Sequence, residues 1–154
     1  MDPKVEKLFQ GKNLIFIATI NTDGSPQLTP VWGNYTDNHI LINTAEGRIK
    51  HRNVKNDPRV AVSVVEHDNP LNMTTIKGKV IEIIPDYDYL HANELTRQYM
   101  GISEYPFKRE NEKRIIFKIK PEKIFVMPEI RWPYIIFDIS KFEFRNMLNL
   151  HDKI

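Results

Sequence analysis

The feature that most constrains this chain is a series of short, β-branched apolar runs, each ended within a few residues by turn formers. "LIFIATI" stops at "NTDGS", "QLTPVWGNY" at "TDNH" and "RVAVSVVE" at "HDNP". "ILINT", "NMTTIKGKVIEII" and "KRIIFKIKPEKIFVM" complete the set. β-Branched side chains suit a pleated surface, and runs of this length between turn residues read as strands. In chain order the first three, "LIFIATI", "QLTPVWGNY" and "ILINT", form a meander of antiparallel strands joined by tight turns. In the fifth, Ile76, Gly78 and Val80 share one face, and Thr75, Lys77 and Lys79 the other. In the sixth, Ile115, Phe117 and Ile119 alternate with charge. Six short strands expose sticky edges unless the sheet closes on itself. The expected fold is therefore mainly β, a six-stranded antiparallel barrel with two or three helices.

Three segments read as helices. The first follows Asp2 and Pro3 and stops near Gly11. The second, over residues 45–56, takes Thr44 as its cap and ends at "DP". The third starts at Pro85 and Asp86, carries Tyr87, Leu90, Leu95 and Tyr99 as an apolar stripe and ends at Gly101. "PEIRWPYIIFDISKFEFRNMLNLHDKI" fits a strand, a helix or a wrapping arm equally well.

Composition narrows the chemistry. A chain of 154 residues, 41% hydrophobic and 27% charged, suits one globular domain. With no cysteine there is no disulfide or thiolate metal site. The histidines at 39, 51, 67, 91 and 151 lack metal-ligand spacing, so no metal is expected, and each reads as a surface or capping residue. HExxH, Walker and GxSxG motifs are absent. A net charge of +2 gives no strong nucleic-acid footprint. The apolar runs are too short to span a bilayer and the N-terminus lacks a signal peptide's apolar core, so a cytoplasmic location is expected, with no membrane partner.

"NTAEGRIKHRN", residues 43–53, concentrates donors where a helix is expected to follow a strand. Read as a solvated face, Glu46 and Lys50 form a surface ion pair worth a few tenths of a kcal/mol. Arg48 and Arg52, four apart, instead repel unless an anion relieves them. Helix N-termini offer free amides to phosphate, Thr44 adds a hydroxyl, and Gly47 permits close approach to the backbone. A phosphate held by Arg48 and Lys50 is a chemically sensible arrangement. Asn53, three residues past Lys50, faces either a neighbouring ligand oxygen or the preceding loop. In "TPVW", proline marks a strand edge or bulge, where the Val31 backbone can meet a planar heterocycle and Trp32 can wall it. The plainer reading is an edge strand with a core or interface tryptophan.

Taken in order, "FIATINTDGSPQLTPVWGNYTDNHILINTAEGRIKHRNVKNDPRVAVSVVE" resembles the core of the FMN-binding split-barrel superfamily. That group includes pyridoxamine 5'-phosphate oxidase-like proteins and the deazaflavin (coenzyme F420) dependent reductases. The likeness runs from Leu14 to Val65 and more loosely to about residue 126. It implies a homodimer of split barrels with two cofactor sites at the interface, over a domain of residues 1–127. Residues 128–154 form an extension in which Trp132, Tyr134 and Phe137 cover the pocket, stabilise the dimer or simply pack. Arg48 and Lys50 would hold the cofactor phosphate, with Asn43, Thr44 and Asn53 nearby. Pro30, Val31 and Trp32 would sit against the ring system. The implied activity is an FMN- or F420-dependent oxidoreductase passing hydride between cofactor and a small conjugated molecule, with no catalytic residue assigned. The acidic tail of F420 would want extra cations, for which Lys77, Lys79 and Arg52 are candidates. Two other classes are a non-catalytic flavin- or haem-binding protein and a barrel for single-stranded nucleic acid. The modest net charge argues against the last.

Overall fold

The turn residues fall where the strands must reverse. Asp23 accepts from the Ser25 amide at 2.9 Å, and Gly24 takes φ +84°. Asp37 and Asn38, both at positive φ, turn the next hairpin. A computed structural model describes residues 2–126. The order is α1 (Pro3–Gln10), β1 (Ile15–Ile20), β2 (Pro26–Val31), β3 (Gly33–Thr36), β4 (His39–Ala45), α2 (Ile49–Asn56), β5 (Arg59–Val65), β6 (Met73–Pro85), α3 (Leu90–Met100) and β7 (Arg114–Val126).

All seven strands form one antiparallel sheet in the order β2-β1-β5-β6-β7-β4-β3. The two edge strands, β2 and β3, are consecutive in the chain and joined by Trp32 alone. The sheet must therefore curl until its edges meet. This is the mainly-β curled sheet that the patterning predicts, with seven strands instead of six because "QLTPVWGNY" breaks at Trp32. Its first half pairs with β1 and its second with β4. Gly33 permits the switch: a Cβ there would lie 2.5 Å from the Leu41 carbonyl oxygen.

The concave side holds the core. Ile15, Ile17, Ile42, Val62, Ile76 and Phe117 are fully buried, each stabilising by about 1.5–3 kcal/mol. Val5, Leu8 and Phe9 of α1 join the same cluster. Asp2 caps that helix, accepting from the Lys4 amide at 2.9 Å.

Two helix starts differ from expectation. β4 stays paired with β7 as far as Ala45 opposite Arg114, so Thr44 belongs to the strand and caps nothing. Gly47, at φ +75°, turns the chain, and Arg48 occupies the N-cap of α2 without a side-chain cap bond. Glu46 thus lies outside the helix and accepts from the Tyr87 hydroxyl at 3.1 Å, not from Lys50. Likewise β6 pairs with β7 up to Pro85, which delays α3 to Leu90. Its buried residues are His91, Ala92, Leu95 and Thr96, while Tyr87 and Leu90 are exposed. The expectations for Trp132, Tyr134 and Phe137 fall outside the described residues.

Candidate functional site

At the seam where β2 gives way to β3, a cleft of about 230 Å³ opens. Thr29, Pro30, Val31 and Trp32 line it from the break, Asn43 and Thr44 from the end of β4, and Arg48 and Lys50 from the start of α2. Ala92 and Leu95 of α3, Tyr105 and Phe107 of the following loop and Arg114 of β7 complete it. Seven of the eight candidates named from the sequence are thus brought together. The eighth, Asn53, does not line the cleft. Its amide donates to Thr19 Oγ1 at 3.0 Å and Asn21 Oδ1 at 2.8 Å, tying α2 to β1 and the first hairpin.

One end of the cleft is rich in unpartnered donors. Thr44 is 1% exposed, and its Oγ1 has no hydrogen-bond partner. Lys50 is 7% exposed, and its ammonium has no acceptor or ion-pair partner among the described residues. Burial, then the charges of Arg48 and Arg114, push the Lys50 pKa down. A buried hydroxyl without a partner is costly, and it shares one cleft with a lysine whose stem is buried and whose charge has no counter-ion among the described residues. The turn behind them is firm: His51 Nδ1 accepts from the Gly47 amide at 2.9 Å, and Arg52 donates to the Gly47 carbonyl at 3.0 Å. His51 is thus a capping residue whose pKa is lowered by burial and then by Lys55.

A chain of polar contacts runs from this end to α3. Arg48 donates to Glu112 at 2.8 Å, and Glu112 also accepts from Arg114 at 3.1 Å. An internal carboxylate thus balances Arg48, while Arg52 turns to the Gly47 carbonyl. Burial alone would raise the Glu112 pKa, but bonds from Arg48 and Arg114 bring it below its ordinary value. Arg114 Nε donates to Asn43 Oδ1 at 2.8 Å, with Nη2 on the same oxygen. The Asn43 amide then donates to Asp86 at 2.8 Å. Asp86 in turn accepts from the His91 and Ala92 amides, each at 3.0 Å, satisfying the start of α3. The His91 ring is buried among Asn43 and Asn34, and burial lowers its pKa.

The other end is aromatic. Trp32 stacks on Tyr99 with ring centroids 5.1 Å apart and planes 4° from parallel. Phe107 lies 6.5 Å from Trp32, Tyr105 lies 5.6 Å from Phe107, and the Arg114 guanidinium sits over Tyr105 at 4.9 Å. Tyr99 is pinned by its hydroxyl, 3.0 Å from the Gly33 carbonyl, and burial pushes its pKa up to about 12.

Sequence reasoning missed Glu112, Arg114, Tyr105, Phe107 and Asp86. "RENEKR" looks like a solvated charge run, and only the pairing of Ala45 with Arg114 carries it to the site. Lys77 and Lys79, considered as further cations, do not line this cleft. They lie on the convex side of β6, where Lys79 pairs with Glu122 at 3.0 Å. Among the described residues there is no cluster of metal-ligating side chains, and no helix long and apolar enough to cross a membrane.

A curled antiparallel sheet whose seam holds cations and stacked aromatics defines the split-barrel class of proteins. Residues 1–127 match the pyridoxamine 5'-phosphate oxidase family model, and the chain belongs to that family. It is 29% identical to an F420 reductase of known structure, with a TM-score of 0.69, covering 77% of this chain and 94% of that one. The general stress protein 26 of Bacillus anthracis shares the fold at 18% identity and a TM-score of 0.60, over 80% of this chain and 91% of that one. The haem storage protein HutZ of Vibrio cholerae does so at 14% identity and 0.58, over 81% and 93%.

Proposed function

We propose that the cleft binds the phosphate and ring system of FMN or coenzyme F420, and that the protein is an oxidoreductase exchanging hydride with a small conjugated organic molecule. The observation that carries this reading is a buried, unpartnered Thr44 Oγ1 on the same cleft as Lys50, a largely buried lysine with no ion-pair partner among the described residues, beside an aromatic wall. A phosphate supplies acceptors for both, and charge-assisted bonds from lysine and arginine are the strong ones. Arg48 and Lys50 hold the phosphate, Asn43 keeps Arg114 in line behind it, and Pro30, Val31 and Trp32 flank the rings. The bound cofactor supplies the hydride chemistry; the chain supplies position, shielding from water and positive potential. Likeness to an F420 reductase tilts the choice towards the deazaflavin.

A cleft of about 230 Å³ is small for a tricycle with its side chain, since ligand sites usually measure about 300–1,000 Å³. We infer that a second copy of this chain completes it. The convex face of β1 and β2 presents Phe16 and Ala18 beside the exposed Leu28 and Pro30, an apolar strip that reaches the cleft rim. Sedimentation of the purified protein tests this, and a monomer that binds cofactor at full affinity sinks it.

The second reading is a protein of the same fold that holds flavin or haem without turnover, which the likeness to a haem storage protein keeps in view. Titration with FMN, F420 and haemin, followed by reduction and exposure to conjugated acceptors, separates the two readings. Tight flavin or deazaflavin binding with turnover supports the proposal; haem binding alone, or no turnover with any acceptor, favours the second. In Arg48→Ala/Lys50→Ala, two bonds of about 1.5–3 kcal/mol each are lost, so affinity falls at least about a hundredfold while the fold persists. Unchanged affinity would rule out the phosphate assignment.

A further inference from the structure

Three cations converge on the cleft, and their tethers differ. Arg114 is held four ways: two of its nitrogens on Asn43 Oδ1, a third on Glu112, and its plane over Tyr105. Its side chain is 6% exposed. Arg48 has one tether, its 2.8 Å contact with Glu112, and its side chain is 43% exposed. Lys50 has none. The Glu112 carboxylate divides its two oxygens, Oε2 on Arg48 and Oε1 on Arg114.

Resting on the anion-site reading, we propose that Glu112 is a displaceable internal counter-anion, holding Arg48 while the cleft is empty and yielding it to an incoming dianion. The bound anion takes the unpaired Lys50 and the Thr44 hydroxyl at the inner end of the cleft. Arg48 then turns from Glu112 to the ligand, a move its exposed side chain permits without disturbing the barrel. The exchange costs little because Glu112 keeps Arg114 and is never stranded as a lone buried charge, the situation that makes broken buried pairs expensive. In the empty cleft the same carboxylate offsets the mutual repulsion of three cations. Glu112 thereby trades affinity for stability of the ligand-free fold.

The test uses inorganic sulfate, which carries two charges throughout the working range, titrated by calorimetry into the full chain at constant ionic strength. Glu112→Gln is expected to bind sulfate roughly fivefold or more tightly than wild type, as an opposing charge coupled to Arg48 is removed. Its ligand-free melting temperature should fall. In Glu112→Gln combined with Arg48→Ala the tightening disappears. A merely structural Glu112 would lower the melting temperature without raising affinity. Unchanged or weakened sulfate binding in Glu112→Gln therefore overturns the proposal while leaving the anion site standing. If wild type and Lys50→Met bind sulfate equally well or not at all, the anion site falls, and this proposal with it. Should Glu112→Gln not fold, Glu112→Asp serves instead. It keeps a charge beside Arg114 but is one methylene short of reaching both guanidiniums, and it must shift affinity in the same direction.

Discussion

Replacing Lys50 by methionine separates what the site costs the fold from what it gives the ligand. The thioether keeps the unbranched stem of a residue that is 7% exposed and removes an ammonium with no partner among the described residues. Removing a partly desolvated charge that Arg48 and Arg114 repel should stabilise the ligand-free protein by about 1 kcal/mol, within the range of common stabilising substitutions. For a chain of this size that raises Tm by about 2–4 °C. The sign has a pH signature. The folded pKa of Lys50 lies below its ordinary 10.5, so between the two values the unfolded chain binds a proton that the folded chain has shed. Wild-type stability from this group therefore rises with pH across that window, and K50M lacks the slope. Affinity for a phosphate-bearing ligand moves the other way. One lost charge-assisted bond of about 1.5–3 kcal/mol weakens binding by about ten- to a hundredfold. Thermal melts with and without FMN, at several pH values, read both effects. A ligand-free K50M that melts below wild type would mean that Lys50 holds the fold together, and the anion-site reasoning would fail with it.

Two further substitutions probe the supports of the cleft. Gly33→Ala drives a Cβ to 2.5 Å from the Leu41 carbonyl oxygen, so β3 must shift; we expect a loss of about 1–3 kcal/mol in urea denaturation. Asp86→Ala strips the His91 and Ala92 amides and the Asn43 side chain of their acceptor. It should cost about 1–2 kcal/mol and loosen ligand binding through Arg114, whereas a purely local cap would change the melt alone.

Much of the fold was legible because strand pattern and turn chemistry agree. Asp37 and Asn38 adopt the positive φ their side chains tolerate, and Ile115, Phe117 and Ile119 all turn to the core. The misplaced boundaries share one cause. At Thr44 and at Pro85 local signals favour a helix, but pairing with β7, which is distant in sequence, keeps each residue in a strand. Donor density singled out Arg48, Lys50 and Thr44, and the fold sets all three on one cleft. For Asn53 the spacing left a ligand oxygen or the preceding loop open, and its acceptors, Thr19 and Asn21, come from β1 and the turn after it. Glu112 and Arg114 were invisible for the opposite reason. Nothing in a run of alternating charge says which members the sheet register will carry inside.

Trp32 deserves a last consideration, because one residue both joins the two rims of the sheet and walls the cleft. The wall has no hinge of its own. Pressure on the indole is transmitted at once to strands at opposite ends of the hydrogen-bonded order, so loading the cleft should slow amide exchange in β2 and β3 together. In this design, breathing of the barrel and opening of the ligand wall are a single motion.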